Sequence, residues 1–364
     1  MPDDTDLAPS RWARFRYFNP LATGLGPAGR LLRGLALCVL IYALCAPAVM
    51  WYEYDRAFPA YFNPAPPAAP AGETAPTGES GAAPAPAAVA PVPAAQPARG
   101  VVYADTLIRM GEQMLRAWLP NDVIWPSVLL DNPQNFQLGQ LEVMRYTTRV
   151  LRDKLSRQRT TDKIDADADL AFTAFSNNPR AWMLPSAESK YNEGLRALKR
   201  YREGLARGSS HFYSRSDNLV ELLEQLTSLL GGVDTRLANA PRDWPVRLSE
   251  ETAGDRYSQG ESSERVKVPW TQIDDNFYFA RGVAYGIREV LAALRWEFKE
   301  IISIKRSGEL LDNVIDELGL ADFEPLWVLN GSRDSIFANH SLSMMATLED
   351  ARQKLINLQH VLER

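Results

Sequence analysis

The sequence predicts an all-α protein, in which a helical bundle follows a single N-terminal transmembrane helix and a disordered Pro/Ala-rich linker. Three observations support this fold class. An uncharged apolar stretch lies near the N-terminus, and a segment dominated by proline and alanine follows it. Through most of the remaining chain, apolar residues recur every three or four positions, which is typical of amphipathic helices.

These patterns divide the chain into four segments. We predict a cytoplasmic N-terminal tail at residues 1–33, a transmembrane anchor at 34–54, a linker at 55–100 and a periplasmic helical domain at 101–364. Whether that last segment is one domain or two subdomains is left open by the sequence.

The anchor is predicted from Gly34–Tyr52, nineteen residues without a charge. A helix of that length matches a hydrocarbon core of roughly 30 Å. Lys and Arg are enriched on the cytoplasmic side of membrane proteins, and here five arginines precede the span: Arg11, Arg14, Arg16, Arg30 and Arg33. We therefore expect a bacterial inner-membrane protein with its N-terminus in the cytoplasm. The arginines oppose the inverted topology.

A cleaved signal peptide is the alternative interpretation of this stretch. Ala46-Pro47-Ala48 has the small-x-small pattern of a cleavage site, after an apolar region at Leu35–Cys45. The apolar run continues to Tyr52, however, and the segment before the apolar run is unusually long, so a retained anchor is favoured.

Both cysteines of the chain, Cys38 and Cys45, lie in the predicted span. They either form a contact between two copies of the helix or serve as small apolar side chains.

The linker contains eleven of the 25 prolines of the chain. Proline removes backbone donors, and the segment has too few large apolar residues to bury a core. We predict a disordered, semi-stiff spacer that holds the domain away from the bilayer, although any flexible linker would serve.

Helical periodicity begins soon after the linker. It predicts helices at Thr106–Leu119 and Leu138–Leu155, a third helix with Ser186 as its N-cap, and a fourth at Asp217–Leu230 that Gly231 and Gly232 close. Residues 231–268 form a polar break, which is either a long loop or a boundary between subdomains. We expect the two halves to pack together.

The strongest helical pattern runs from Ile273 to Ile301, and it predicts the central helix of the bundle. We call its apolar positions the seam: Ile273, Phe277, Ala280, Ala284, Ile287, Leu291, Leu294, Phe298 and Ile301. Gly282 and Gly286, one turn apart, would permit a close helix approach. A last helix is predicted at Ser341–Leu362.

Charge and motifs argue against several classes of function. The net charge is −5 and no long basic run is present, which disfavours nucleic-acid binding. The three histidines, His211, His340 and His360, have no metal-ligand spacing, and phosphate-binding, dinucleotide-binding and serine-hydrolase motifs are absent. We therefore predict no catalytic residue, cofactor or metal.

Two acidic groups need a separate interpretation. Asp274 and Asp275 diverge on a helix, and acids favour a first turn, so we interpret them as helix-start residues rather than a catalytic pair. Asp162, Asp165, Asp167 and Asp169 resemble a calcium loop but lack its central glycine and terminal glutamate.

Polar and aromatic residues concentrate in two segments, around residues 177–186 and 270–281. Rings and amide donors together suit a sugar or a peptide, so these segments predict a candidate ligand surface formed by Trp182, Trp270, Asp274, Asp275, Asn276, Tyr278 and Arg281. The alternative is that the rings belong to the core and the polar groups cap helices, with Arg281 on a solvated face.

A further set of stretches begins at Thr106, Leu119, Leu130, Trp182, Phe212 and Pro269 and covers most of residues 101–364. These stretches resemble an uncharacterised proteobacterial family with one N-terminal span, domain of unknown function 2333. The resemblance implies an inner-membrane protein of a Gram-negative envelope. It implies no activity and no catalytic residue.

Two hypotheses of function follow. The first is a non-enzymatic scaffold that binds an envelope protein partner through its periplasmic bundle. The second is a peptidoglycan- or lipid-binding receptor or enzyme, with a site near Asp274, Asp275 and Arg281. Carboxylates that converge in a deep polar pocket would favour the second hypothesis.

Overall fold

The computed structural model describes residues 27–57, 97–122, 130–159, 161–238, 272–331 and 336–364. These residues form ten α-helices and no β-strand, which confirms the all-α prediction. The helices are α1 (Pro27–Ala57), α2 (Val101–Met114), α3 (Asp131–Val150), α4 (Ala166–Phe175), α5 (Ala187–Arg207), α6 (Ser216–Ala238), α7 (Ile273–Glu297), α8 (Lys299–Ile304), α9 (Gly308–Leu320) and α10 (His340–Glu363).

Side-chain caps explain where several helices begin. The Ser186 hydroxyl accepts a hydrogen bond from the backbone N–H of Ser189 at 3.3 Å, so the predicted N-cap of α5 is confirmed. Asn339 caps α10 in the same way, through the N–H of Leu342 at 3.0 Å. Each cap satisfies a donor that the first turn of a helix leaves without a partner.

The start of α2 is closed from a distant part of the chain. Gly100 has a φ of 85°, and the carboxylate of Glu297, in the last turn of α7, accepts from the N–H groups of Gly100, Val102 and Tyr103 at 2.7, 2.8 and 3.2 Å. One carboxylate therefore joins the beginning of α2 to the end of α7.

The central position of α7 confirms most of the predicted seam. Phe277, Ala280, Ala284, Ile287, Leu291, Leu294 and Phe298 are all buried. The helix stops at Glu297, and α8 begins after Phe298, so the seam is not one continuous helix to Ile301.

The close helix approach that the glycines predict occurs between α3 and α7. A Cβ atom on Gly282 would collide with the backbone carbonyl of Phe136, and one on Gly139 would collide with the carbonyl of Phe279. Gly286 faces Val143 with slightly more room. The two backbones can cross at this point only because neither helix has a side chain there.

Other predicted boundaries were wrong. The helix α6 does not end at Gly231 and Gly232 but continues to Ala238, since its apolar face includes Val233 and Leu237, both buried. The short helices α4 and α9 were not predicted. Residues 239–268 of the polar break lie outside the described residues.

One hydrophobic core extends from Val101 to Leu362 and contains buried residues of both halves. The helix α3 packs along α7, and α6 packs along α10. The two halves pack together, as the sequence predicted.

The bundle has two ends. We call one the α1 end; it contains the first turns of α3, α5, α7 and α10 and residues 115–122. Three contacts join these parts: Asn135 with Asp275, Phe277 with His340, and Asn121 with the carbonyl of Ala181. The far end contains the first turns of α2 and α6 and the last turns of α7 and α10, joined by Gly100 with Glu297 and by Ser216 with Leu362.

The helix α1 packs against the bundle at the α1 end. Ala46 is buried, and Met50, one turn later, packs on Leu119 and Leu130. The predicted anchor lies inside this longer helix, and most of the predicted linker, at residues 58–96, lies outside the described residues. The end of α1 contacts the domain. The spacer role of the linker stays a prediction.

Candidate functional site

Five of the predicted site residues lie together on the first three turns of α7. Asp274 and Asp275 occupy the first turn, where the unpaired N–H groups of a helix favour negative charge. Asn276 is half-buried beside them, and Tyr278 and Arg281 follow on the buried side of the helix. The start of α7 therefore combines a half-buried acidic turn with a buried tyrosine and a buried arginine.

The start of α3 completes the acidic turn. The side-chain amide of Asn135 donates to Asp275 Oδ1 at 2.6 Å, and Asp131 lies close enough to raise the pKa of both acids. Burial is the largest cause: it raises the pKa of Asp275 to about 6, with Asp274 and Asp131 acting in the same direction and Arg180 against it. Three carboxylates therefore converge where the first turns of α3 and α7 meet.

Tyr278 links this acidic turn to a second group of charges. Only 3% of its surface is exposed. Burial raises the pKa of its phenol to about 12; Glu324 adds to the shift, and Arg281 opposes it. Asp274 and Asp131 also raise the pKa of Tyr278. The tyrosine is therefore close to the acidic turn and also to the charges around Arg281.

The second group is centred on Arg281, which is 2% exposed. Its Nε donates to Asp322 Oδ1 at 3.0 Å, and its Nη1 lies 3.2 Å from Glu324 Oε2. The guanidinium carbon is 5.9 Å from the ring centres of Phe136 and Tyr278. Arg281 is therefore part of a buried ionic network and does not lie on a solvated face.

This network ties α7 to the segment after α9. Burial raises the pKa of Asp322 even though Arg281 lowers it, so desolvation outweighs the attraction at this carboxyl. Phe323, between the two acids, packs its ring on Phe277 at 5.1 Å between centres. The chain after α9 is thus fixed to the first turns of α7 by both charge and aromatic contact.

The remaining predicted residues are placed differently. Trp182 lies in the loop between α4 and α5 with 60% of its surface exposed. Trp270 lies outside the described residues. The ligand surface stays a prediction, and its accessible described members are Trp182 and the half-buried acidic turn.

Sequence reasoning missed the partners of these residues. Asp131 and Asn135 come from α3 and Asp322 and Glu324 from the segment after α9, far from α7 along the chain. No local spacing connects them.

The acids that resemble a calcium loop have partners within the fold. Asp165 is the N-cap of α4 and accepts from the N–H groups of Asp167 and Ala168. Asp162 accepts from the N–H of Arg159, and Arg200 donates to Asp167. In the part of the chain that the structure describes, no three His, Cys, Asp or Glu side chains come together as a metal site would require.

A polar depression of about 360 Å³ lies at the far end, between the end of α3 and the start of α6. Its lining is charged, and its cations face carboxylates within the same depression, such as Lys154 with Glu221 and Arg215 with Asp217. None of the predicted site residues lines it.

Comparison with known proteins gives one match. A family model described as "Uncharacterized protein conserved in bacteria (DUF2333)" matches residues 75–364. No curated protein and no solved structure matches the chain. The family description contains no activity.

Proposed function

The chain belongs to this family of bacterial proteins, and from its own geometry we propose a membrane-anchored envelope protein whose helical domain binds a protein partner without catalysis. The anchor would cross the bacterial inner membrane once. The domain would lie in the periplasm.

The observation that carries this proposal is the exposed surface of α1. The stretch Leu31–Tyr52 is 22 residues long and apolar enough to span a membrane, and only 6% of its most apolar window is buried against the protein. A buried core helix would be covered by its neighbours, whereas this one leaves large apolar side chains such as Leu35 and Leu44 exposed. A bilayer supplies the missing cover.

The orientation is argued from charge. Arginines precede the span on its N-terminal side, so the N-terminus would be cytoplasmic and the domain periplasmic. The absence of cysteine after residue 45 suits an oxidising compartment, since no thiol of the domain would be exposed there.

The charged groups of the predicted site have partners within the fold, which argues against a catalytic role for them. Arg281 is neutralised by Asp322 and Glu324 inside the fold, and the first-turn acids of α7 are placed where helix starts favour negative charge. These contacts give each charged group of the predicted site a structural task.

Reporter fusions test the topology. With alkaline phosphatase fused after Arg364, cells should show phosphatase activity, whereas a cytoplasm-only fluorescent reporter at the same position should stay dark. The matched control replaces the five arginines before the span by glutamate, which should weaken the orientation because the charge bias is lost. A fluorescent wild-type fusion with a silent phosphatase would overturn the proposal.

A peptidoglycan- or lipid-binding receptor or enzyme is the second candidate. It is favoured by the three carboxylates that converge at the starts of α3 and α7, one of them with a pKa of about 6. A photo-reactive residue at position 274, activated in intact cells and followed by mass spectrometry, separates the two. A protein adduct supports the leading proposal, and an adduct with a glycan strand or its peptide stem supports the second candidate.

A further inference from the structure

The exposed apolar side chains of the domain are distributed unevenly between its two ends. Outside α1, nine of the large exposed hydrophobic residues that the structure describes lie at the α1 end: Trp182, Met183, Leu184, Leu320, Leu326, Trp327, Leu329, Ile336 and Phe337. Two lie near the far end, Ile164 and Ile304. Soluble proteins seldom concentrate apolar surface in this way unless something covers it.

Most of these residues belong to two loops. The first, residues 176–186, joins α4 to α5 and exposes Leu184 by 93%. The second lies between α9 and α10, is described at residues 321–331 and 336–339, and exposes Leu326 and Ile336 by 92% and 96%. Exposure of such apolar side chains to water is unfavourable. Each loop also contains a tryptophan, a residue that is enriched at the boundary between lipid and water.

Hydrogen bonds fix both loops to the end of the bundle on which α1 is seated. The Trp118 indole donates to the carbonyl of Pro179 at 3.1 Å, and the Asn121 amide donates to that of Ala181 at 3.0 Å. Between these two residues lies Leu119, on which Met50 of α1 packs. The N–H of Leu329 donates to the His340 ring at 2.9 Å, which holds the second loop at the start of α10.

The position of the contact along α1 also determines how deep the domain would lie relative to the bilayer. Met50 precedes Tyr52, the last residue of the apolar stretch, by two positions, and Ala46 is buried one turn further in. If α1 spans a bilayer, at about 1.5 Å per residue these contacts lie within roughly 10 Å of the end of the span. The α1 end of the domain therefore meets the span at the level of the lipid headgroups.

We propose that the α1 end of the domain is a lipid-contacting surface, with the two loops inserted into the interfacial layer of the periplasmic leaflet. This inference rests on the proposed function, because it requires α1 to be in the membrane. Asp131, Asp274 and Asp275 lie at the same end. Their charge gives no attraction to anionic lipid, so apolar contact drives the insertion, and neutral lipid suffices.

The test uses the full chain in nanodiscs of neutral phosphatidylcholine. Cys38 and Cys45 are replaced by alanine, and a single cysteine with an environment-sensitive fluorophore is placed by M183C or W327C. I304C is the matched control, because Ile304 is an apolar residue of comparable exposure on α8, at the far end. Labelling Cys45 alone, with only Cys38 replaced, reports on the span.

Labels at positions 183 and 327 should emit at shorter wavelength than the label at 304. They should be quenched by lipids with a nitroxide near the top of the acyl chain and protected from aqueous iodide. The label at 304 should show the reverse. Neither added anionic lipid nor salt should change these results, since the contact is apolar.

The experiment distinguishes failure of the proposed function from failure of the lipid-contact inference alone. If the label at Cys45 escapes the lipid nitroxide, α1 is not in the bilayer and the proposed function fails with the inference. If Cys45 is quenched while position 183 stays open to iodide, only the lipid-contacting surface is overturned. Protection of position 183 from both quenchers would mean that protein covers the loop, and this outcome also overturns the inference.

Discussion

Arg281 is the residue for which the structure changes the interpretation most. Its side chain is enclosed between α7 and the segment after α9, with Asp322 11% exposed beside it. An arginine of this kind is difficult to remove, because its loss leaves carboxylates buried without their partner.

We expect Arg281→Ala to lower the free energy of unfolding by about 3–5 kcal/mol, the range for breaking a buried ion pair. Arg295→Ala is the control, since its pair with Asp312 is roughly half-exposed, and it should cost less than about 1 kcal/mol. Urea denaturation followed by circular dichroism measures both. Equal, small effects would show that the Arg281 network adds little to the stability of the fold.

The burial of Asp275 predicts that the stability of the fold depends on pH. Its pKa is about 6 in the fold against 3.8 when unperturbed, so between these values the folded state binds more protons than the unfolded state. Stability then falls as the pH rises through this window. Asp275→Asn removes this pH-dependent loss of stability, because asparagine carries no titrating proton. The variant should therefore be more stable than the wild type above pH 6, and the difference should vanish towards pH 4.

Thermal melts from pH 4 to 8 follow this difference. Asp316→Asn, on the exposed side of α9, is the matched control and separates a local effect from a general change of net charge. Parallel curves for Asp275→Asn and the wild type would mean that the carboxyl titrates alike in both states, and that the acidic turn is well solvated.

At the scale of elements, the crossing of α3 and α7 depends on glycine. Gly282→Ala would push a methyl group into the backbone of α3, which cannot move away as a flexible side chain can. Overpacking of this kind costs about 1–3 kcal/mol or more. Gly232→Ala, in an exposed position of α6 with open space around it, should instead stabilise the protein by about 0.5–1 kcal/mol.

Denaturation of the two variants under the same conditions measures this contrast, since both exchange glycine for alanine within a helix. Opposite signs are expected. A neutral or stabilising Gly282→Ala would show that α3 and α7 separate easily, and that the central contact of the bundle is loose.

Helical periodicity predicted the main helices and the buried face of α7 because both depend on residues three or four positions apart. It misjudged α6, where glycines inside a packed helix resemble a stop signal. It missed α4 and α9, which are short helices of 10 and 13 residues. In each case tertiary packing decides what local propensity leaves open.

At the scale of the molecule, the contacts that organise the candidate site join distant residues. Asn135 and Asp275 are 140 positions apart, and Arg281 and Asp322 are 41 apart. The Glu297 cap on α2 spans more than 190. Composition and spacing predicted which residues are polar and which helices contain them, but pairings of this length exist only after the bundle has assembled.

The seating of α1 on the α1 end, with α2 beginning at the far end, also constrains the linker. The path from Ala57 to Val101 has to return along a bundle whose helix α3, at 20 residues, is about 30 Å long. An extended chain covers that distance in about ten residues, at roughly 3.3 Å each. The 39 residues at 58–96 therefore provide several times the necessary length.

The length of chain between α1 and α2 therefore permits the contact between α1 and the domain to open and close. The contact through Ala46 and Met50 is small. A covalent connection of this length keeps the domain at an effective concentration in roughly the mM range near the end of α1, so a weak contact stays occupied most of the time. If the proposed function holds, a contact that opens and closes would let the domain reach a protein partner while α1 stays in the membrane. The long linker would then set how far from its own span the protein can search.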